Sequence, residues 1–292
     1  MRRYGLLIVA IAIVTVAGAI FGFNQIDKSN FGIPRFYAWR SLSGEFHGGR
    51  RARVNGVSIY YELYGAGPPV LLLHGAGGFL ETMHYFISAL APTHTVVAID
   101  SRAQGRSTDS AAPLSYAQMG DDMIKLMDAL QLKQVDVVGW SDGGIIGLDM
   151  AMKHPERVRR LIAIGANYDV DGVPPKDLSA QTIQTAAAQV KPFYDNVAPD
   201  PARFPILVNK IVTMLTHEPH YTIAELGRIR ARTLIVAGEH DMILRKHTDS
   251  LAHAIPGAKE IIVPRASHFG PLETPEVYEQ LAVRFLGPDK LP

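Results

Sequence analysis

Apolar strand-like runs alternate with amphipathic segments along most of the chain. Residues 70–73 are wholly apolar and residues 158–164 are apolar apart from Arg159 and Arg160, as in strands covered on both faces. Residues 116–130 instead carry apolar side chains at helical spacing, and the alternation returns with a strand predicted over 233–237. Strands that alternate with helices imply right-handed crossovers and a mainly parallel sheet, so the pattern predicts an α/β fold.

Two regions depart from this alternation. Asn55-Gly56, a favoured two-residue hairpin turn, predicts an antiparallel hairpin at the edge of the sheet. Residues 166–230 hold many prolines and several helical patches without a convincing central strand. We therefore predict a core formed by residues 51–165 and 231–287, with a helical cap inserted at 166–230.

The first 23 residues have a different character. Arg2 and Arg3 precede roughly twenty uncharged residues, about the length that spans a bilayer as a helix. The length of the run favours a membrane anchor, whereas Ala17-Gly18-Ala19 offers an alternative signal-peptide cleavage site. Either way the remainder is predicted to be exported, as a membrane-anchored or a periplasmic or secreted protein. Residues 24–50 are predicted to be a linker.

The composition of the chain excludes some classes of partner and of catalytic chemistry. The 292-residue chain is 47% hydrophobic, enough for a large core, and its formal charge of +1 gives no long-range attraction for nucleic acid. It has no cysteine, which excludes thiol catalysis, thiolate metal sites and disulfides. Catalysis by a serine is unaffected, and the oligomeric state stays open.

The segment Gly139-Trp140-Ser141-Asp142-Gly143 follows a predicted strand and opens a predicted helix. This G-x-S-x-G arrangement is a nucleophile elbow, in which a sharp turn lifts the serine hydroxyl above the carboxyl end of the sheet. A serine hydroxyl is a poor nucleophile at neutral pH and needs an imidazole to accept its proton, oriented by a carboxylate.

The partners of Ser141 are predicted from strand ends. Among the histidines, His268 lies just after the final predicted strand, and Asp241 follows the strand before it. The order along the chain, serine then aspartate then histidine, is the one expected of a serine hydrolase with a nucleophile elbow. Asp169 and Asp171 are the alternative acids.

A glycine-rich loop, His74-Gly75-Ala76-Gly77-Gly78, follows the apolar run at 70–73. We expect the N–H groups of Ala76 and Asp142 to form an oxyanion hole, with His74 bracing the loop. Gly75 and Gly77 let a ligand approach the backbone closely. Together with Trp140 and the Asp142 carboxylate, they are predicted to bind substrate.

These motifs, with residues 100–107 (Asp-Ser-Arg-Ala-Gln-Gly-Arg-Ser), resemble the α/β-hydrolase family over about residues 51–287. The resemblance implies a mostly parallel eight-stranded sheet flanked by helices, with an inserted cap. Ala103 stands where the family usually has glycine. Within the family, the Gly-Trp-Ser-Asp-Gly-Gly segment is most similar to the valacyclovir hydrolase, or biphenyl hydrolase-like, branch.

The leading hypothesis is a serine hydrolase that cleaves a small carboxylic ester without metal or cofactor. Amidase, lactonase, perhydrolase and carbon–carbon bond hydrolase chemistry are alternatives with the same residues. A non-catalytic ligand-binding protein on this fold is a further alternative. The Asp142 carboxylate either complements the start of its helix or binds the ammonium of an α-amino acid ester.

Overall fold

A computed structural model describes residues 32–287 of the protein. The predicted membrane or signal segment at 1–23 lies outside the described residues. Across the described residues, no helix has the length and apolarity needed to span a membrane. The chain divides into two compact units, and the first, which ends at Gly44, contributes one described helix, α1 (Ile33–Leu42).

The second unit, from Glu45 onward, is built on an eight-stranded sheet in the order β1-β2-β4-β3-β5-β6-β7-β8. The first two pairings, β1 with β2 and β2 with β4, are antiparallel, and the others are parallel. This sheet confirms the predicted fold class. The strands are β1 (Phe46–Val54), β2 (Val57–Tyr64), β3 (Pro69–Leu73), β4 (Thr95–Asp100), β5 (Val135–Trp140), β6 (Val158–Ile164), β7 (Arg232–His240) and β8 (Lys259–Ser267).

The first half of strand β1 lies where the sequence predicted a linker. The linker was placed at 24–50, but α1 and the first half of β1 fall inside that range. Most side chains of β1 are exposed or half-buried because it is an edge strand, so it lacks an apolar alternation. Backbone pairing with β2 forms the predicted hairpin, whose turn residues Asn55 and Gly56 have φ angles of 45° and 78°.

Helices flank the sheet and continue into the segment between β6 and β7. That segment contains α5, α6 and the short α7, and no strand of the sheet. The helices after α1 are α2 (His84–Leu90), α3 (Tyr116–Ala129), α4 (Asp142–Lys153), α5 (Ala180–Val197), α6 (Phe204–His217), α7 (Ile223–Leu226), α8 (Arg245–Ala254), α9 (Gly270–Glu273) and α10 (Pro275–Leu286).

Helix α6 packs onto the body of the protein through one apolar face. Leu207, Ile211 and Met214 are buried on this face, four or three residues apart. Lys210, on the same helix, donates hydrogen bonds of 2.7 and 2.9 Å to both carboxylate oxygens of Asp109. The apolar face thus joins the hydrophobic core, and the ion pair ties α6 to the loop that follows β4.

The sheet positions the candidate functional residues. His74 follows β3, Ser141 follows β5, Asp241 follows β7 and His268 follows β8. These four strands are parallel within the sheet, so their carboxyl ends lie along the same edge.

Candidate active site

The elbow places Ser141 in a strained backbone conformation between β5 and α4. Its φ and ψ are 55° and −120°, a region that non-glycine residues rarely adopt. A Cβ at Gly139 would collide with the backbone of Gly143, and one at Gly143 would collide with the Leu73 carbonyl oxygen. Glycine is therefore required at both positions. The Ser141 N–H donates to the Ile164 carbonyl oxygen at 2.7 Å, which fixes the turn onto the neighbouring strand.

Ser141, His268 and Asp241 form a continuous chain of hydrogen bonds. The His268 Nε2 lies 3.0 Å from Ser141 Oγ, and its Nδ1 lies 2.8 Å from Asp241 Oδ1. With the proton on Nδ1, the ring donates to the carboxylate and accepts from the hydroxyl. The structure thus brings together the three residues selected from strand ends, in the arrangement that activates a serine.

Asp241 is held in its charged form. Burial alone would raise the pKa of its carboxyl, but the hydrogen bond and charge of His268 hold that pKa below its ordinary value. The Ile243 N–H also donates to Asp241 Oδ1, at 3.0 Å. The alternative acid Asp169 instead pairs with His220, its Oδ2 lying 3.0 Å from Nδ1 of that ring.

The loop that carries His268 is fastened by contacts that sequence patterns did not predict. The Trp140 Nε1 donates to the His268 carbonyl oxygen at 3.0 Å. The Glu273 carboxylate accepts from the Ser267 N–H at 2.9 Å and from its hydroxyl at 2.6 Å. The first contact ties the residue before Ser141 to His268, and the second anchors the end of β8.

The glycine-rich loop passes directly above the serine. A Cβ at Gly75 would lie 3.1 Å from Ser141 Cβ, so only a glycine lets the loop approach without displacement. His74 braces the loop, since its Nδ1 donates to the Gly75 carbonyl oxygen at 2.7 Å and its Nε2 accepts from the Ser101 N–H at 3.0 Å. Burial lowers the pKa of His74 to about 4, which keeps the ring neutral for these two roles.

Asp142 is buried at the start of α4, with 2% of its surface exposed. Tyr116 donates its hydroxyl to Oδ1 at 2.9 Å. The other oxygen, Oδ2, is buried without a hydrogen-bond partner among the described residues. Burial raises the pKa of Asp142 to about 6, while the hydrogen bond from Tyr116 and the charge of His268 act in the opposite direction. At neutral pH this is a buried carboxylate with an unoccupied acceptor.

Two predicted substrate contacts have other partners. The Trp140 N–H is already bonded to the His268 carbonyl oxygen, so the indole cannot offer that donor to a ligand. The Gly77 N–H donates to Gln104 Oε1 at 2.6 Å. Both bonds join residues far apart in sequence, and for that reason spacing alone did not reveal them.

Ala103, which stands where the family usually has glycine, adopts the backbone conformation that a glycine would adopt there. Ala103 has a φ of 66°, the left-handed region that explains why glycine is common there. The turn around it is supported by Asp100, whose carboxylate accepts from the Leu80 N–H at 2.7 Å and the Arg106 N–H at 2.8 Å. The motif at 100–107 therefore has a structural role behind the glycine-rich loop.

Other features of the described residues do not add to this site. The groove lined by Lys153, Arg228 and Arg230, with a volume of about 710 Å³, contains none of the elbow or triad residues. Among residues 32–287, no cluster of three or more side chains is arranged to hold a metal ion.

Comparison with known proteins places the chain in a family. Residues 68–208 match the family model described as the alpha/beta hydrolase fold. The human serine hydrolase BPHL is 31% identical over 254 residues, which cover 81% of this chain and 85% of BPHL. The chain belongs to the α/β-hydrolase family. The hydrolase is therefore similar to the biphenyl hydrolase-like branch, as its elbow segment predicted.

Two further matches cover most of the hydrolase. The putative carbamate hydrolase RutD of Azorhizobium caulinodans is 30% identical over 79% of this chain and 96% of RutD. A solved structure titled Est816, an N-acyl homoserine lactone degrading enzyme, aligns with a TM-score of 0.67 at 26% identity over 81% of this chain and all of Est816. The names of these two proteins refer to different substrates, a carbamate and an N-acyl homoserine lactone, so membership in the family does not define the substrate.

Proposed function

We propose that this hydrolase cleaves a small carboxylic ester through an acyl-enzyme formed on Ser141. The observation that carries the proposal is the hydrogen-bond chain from Ser141 Oγ through His268 to Asp241, at 3.0 and 2.8 Å. The same chain supports the assignment of His268 as general base and Asp241 as the residue that orients it. The proposal gives no role to a metal or cofactor.

In the acylation step, Ser141 Oγ attacks the carbonyl carbon as its proton passes to His268 Nε2. The carbonyl oxygen becomes an oxyanion, stabilised by the N–H groups of Ala76 and Asp142. The intermediate then collapses, and the alcohol leaves with the proton from His268. Water, deprotonated by the same ring, attacks the acyl-enzyme and releases the acid and free Ser141.

Donor availability supports the assignment of the oxyanion hole. No acceptor for the Ala76 N–H is found within residues 32–287. The Asp142 N–H stands in the first turn of α4, where N–H groups have no partner within the helix. The closeness of Gly75 to Ser141 supports an oxyanion position between these two donors.

The test of the proposal is labelling with a fluorophosphonate probe together with hydrolysis of p-nitrophenyl esters. The wild type is expected to be labelled and to turn over, whereas Ser141→Ala is expected to lose labelling and about 10³-fold or more in kcat. Thermal unfolding of the variant checks that its fold is intact. If the wild type hydrolyses no ester and resists the probe, the chain is a non-catalytic member of the family.

Asp142 supports a finer proposal, that the preferred acyl group carries an α-ammonium. The Oδ2 atom is buried without a partner among the described residues, next to the nucleophile in sequence and close enough for His268 to act on its charge. An ammonium a few ångströms from the scissile carbonyl would supply both the missing hydrogen bond and the missing charge. A desolvated ion pair of this kind gives about ten- to a hundredfold discrimination in kcat/KM.

The finer proposal is tested with an α-amino ester and its des-amino analogue. The wild type is expected to prefer the amino ester, and Asp142→Asn to lose the preference while it still hydrolyses the des-amino ester. Because the pKa of Asp142 is about 6, the preference should fall as the pH drops through 6. It should also fall above about pH 8, where the α-amino group loses its charge. A preference that persists in Asp142→Asn contradicts the proposal.

A carbamate is the second candidate substrate class. It is favoured by the match to RutD, which spans 96% of that relative. A carbamate, like an ester, presents a carbonyl carbon to Ser141. Only the measured rates of hydrolysis therefore distinguish the two substrate classes. Lactones, named for Est816, belong in the same panel. A kcat/KM for a carbamate well above that for every ester would replace the ester proposal and leave the roles of the triad unchanged.

A further inference from the structure

The glycine-rich loop above Ser141 is tied down on both sides of Ala76. On one side, the Gly75 carbonyl oxygen accepts from His74 Nδ1 at 2.7 Å and from the Gly78 N–H at 3.1 Å. On the other side, the Gly77 N–H donates to Gln104 Oε1 at 2.6 Å. The flanking groups are thus bonded, whereas the Ala76 N–H between them has no acceptor within residues 32–287.

Gln104 is itself held in place. Its side chain is buried, with 1% of the residue exposed. Its N–H donates to the Ser101 carbonyl oxygen at 2.9 Å, and its carbonyl oxygen accepts from the Ser107 N–H at 3.0 Å. The left-handed conformation of Ala103 turns the chain just before it. A residue fixed by its backbone on both sides has little freedom to point its side chain elsewhere.

We propose that Gln104 is a positioning residue of the oxyanion hole. Its Oε1 fixes the Gly77 N–H and so keeps the preceding peptide, which carries the Ala76 N–H, aimed above Ser141 Oγ. The inference rests on the proposed function, in which that N–H stabilises the oxyanion. Without the acceptor, the Gly77 N–H turns to another partner, and the adjoining peptide rotates with it.

The expected effect of a Gln104 substitution on catalysis follows from the geometry that an oxyanion hole requires. Its donors act only at about 2.7–3.1 Å from the developing charge, and loss of one donor costs about 10²–10³-fold in kcat. A displaced donor still contributes in part. The expected loss for a Gln104 variant is therefore smaller, about ten- to a hundredfold in kcat. Ground-state binding involves little charge on the carbonyl oxygen, so KM should change by less than about twofold.

The experiment compares wild type with Gln104→Met, which keeps the length of the side chain and removes its acceptor. Two quantities are measured: kcat and KM for a p-nitrophenyl ester, and the inhibition constant of a trifluoromethyl ketone. With the ketone, Ser141 Oγ adds to the carbonyl carbon, its proton passes to His268, and the oxygen becomes an oxyanion in the hole. Inhibition should weaken by the same factor as kcat, because both depend on the donors.

Gln118→Met is the matched control. Gln118 is a second glutamine of the described chain, whose Oε1 is buried without a hydrogen-bond partner. Its replacement should leave kcat and ketone inhibition unchanged. Gln104→Asn, which keeps an amide but is one methylene shorter, carries the test if Gln104→Met fails to fold, and it should show the same paired losses.

The outcomes separate the two proposals. If Gln104→Met folds and lowers only the thermal midpoint, with kcat and inhibition as in wild type, Gln104 is structural and its positioning role is overturned. A loss confined to KM overturns it as well. If wild type neither turns over esters nor reacts with a fluorophosphonate, the proposed function fails, and the role of Gln104 fails with it.

Discussion

Replacing Asp142 with asparagine is expected to stabilise the free protein, and increasingly so as the pH rises. Burial raises the pKa of the Asp142 carboxyl from 3.8 to about 6, and the hydrogen bond from Tyr116 offsets only part of this effect. A raised pKa means that the folded protein tolerates the protonated acid better than the carboxylate. The cost of the charge is therefore absent well below pH 3.8 and complete above about pH 6.

The size of the stability difference follows from the size of the rise in the pKa of Asp142. Each pKa step corresponds to 1.36 kcal/mol, so a rise from 3.8 to about 6 costs about 3 kcal/mol of folding free energy at pH 8. At pH 4.5 the carboxyl of the folded protein is mostly protonated, and the cost is about 1 kcal/mol. Only 2% of Asp142 is exposed, so solvent screening does not reduce these values appreciably.

The assay is urea unfolding of wild type and Asp142→Asn between pH 4.5 and 8. The stability difference in favour of the variant should grow by about 2 kcal/mol across this range. Any constant effect of the amide, such as its own contact with Tyr116, cancels in that growth. Asp171→Asn is the matched control, because Asp171 is exposed and its carboxyl lies in solvent.

A difference between wild type and Asp142→Asn that stays flat from pH 4.5 to 8 would refute the reasoning. It would mean that the Asp142 carboxylate is solvated or paired in the free protein and carries no cost to be offset by a ligand. Growth in Asp171→Asn equal to that in Asp142→Asn would refute it equally, because the effect would then come from net charge and not from burial.

Two further predictions concern contacts that hold the site together. Trp140→Phe removes the N–H that donates to the His268 carbonyl oxygen and keeps an aromatic ring. It is expected to lower kcat by about three- to tenfold with little change in KM, and steady-state kinetics that leave kcat within twofold would contradict the role. Lys210→Met breaks the ion pair with Asp109 and is expected to cost about 1–2 kcal/mol in urea unfolding and to raise KM. Unchanged stability and KM would show that the ion pair of Lys210 with Asp109 does not hold α6 in place.

The fold was predictable because its signals are local. The largely apolar run at 158–164 and the helical spacing at 116–130 each predict one element, and both elements are present as β6 and α3. The first half of β1, residues 46–50, was assigned to a linker because an edge strand rich in Arg and Gly buries little apolar surface. Its stability comes from backbone pairing, which has no signature in residue type.

The candidate triad was predictable for a topological reason. In a parallel sheet the residues after each strand share one edge, so Asp241 and His268 were selected by their place after β7 and β8. No such rule predicts the contacts that support the triad and the glycine-rich loop. Trp140 bonds a carbonyl oxygen 128 residues away, and Gln104 bonds an N–H 27 residues away. Such side-chain-to-backbone bonds depend on the packed structure and leave no periodic pattern in the sequence.

The burial of Asp142 bears on why a carboxylate follows Ser141. A carboxylate at the start of a helix gains about 0.3–1 kcal/mol from the helix macrodipole. The raised pKa corresponds to a burial cost of about 3 kcal/mol, which exceeds that gain several-fold. A helix start alone is served better by an exposed acid or by a neutral residue, so the macrodipole does not account for this side chain. An ammonium bound against Oδ2 would offset this burial cost. In the absence of substrate, the free protein would be destabilised by the uncompensated carboxylate.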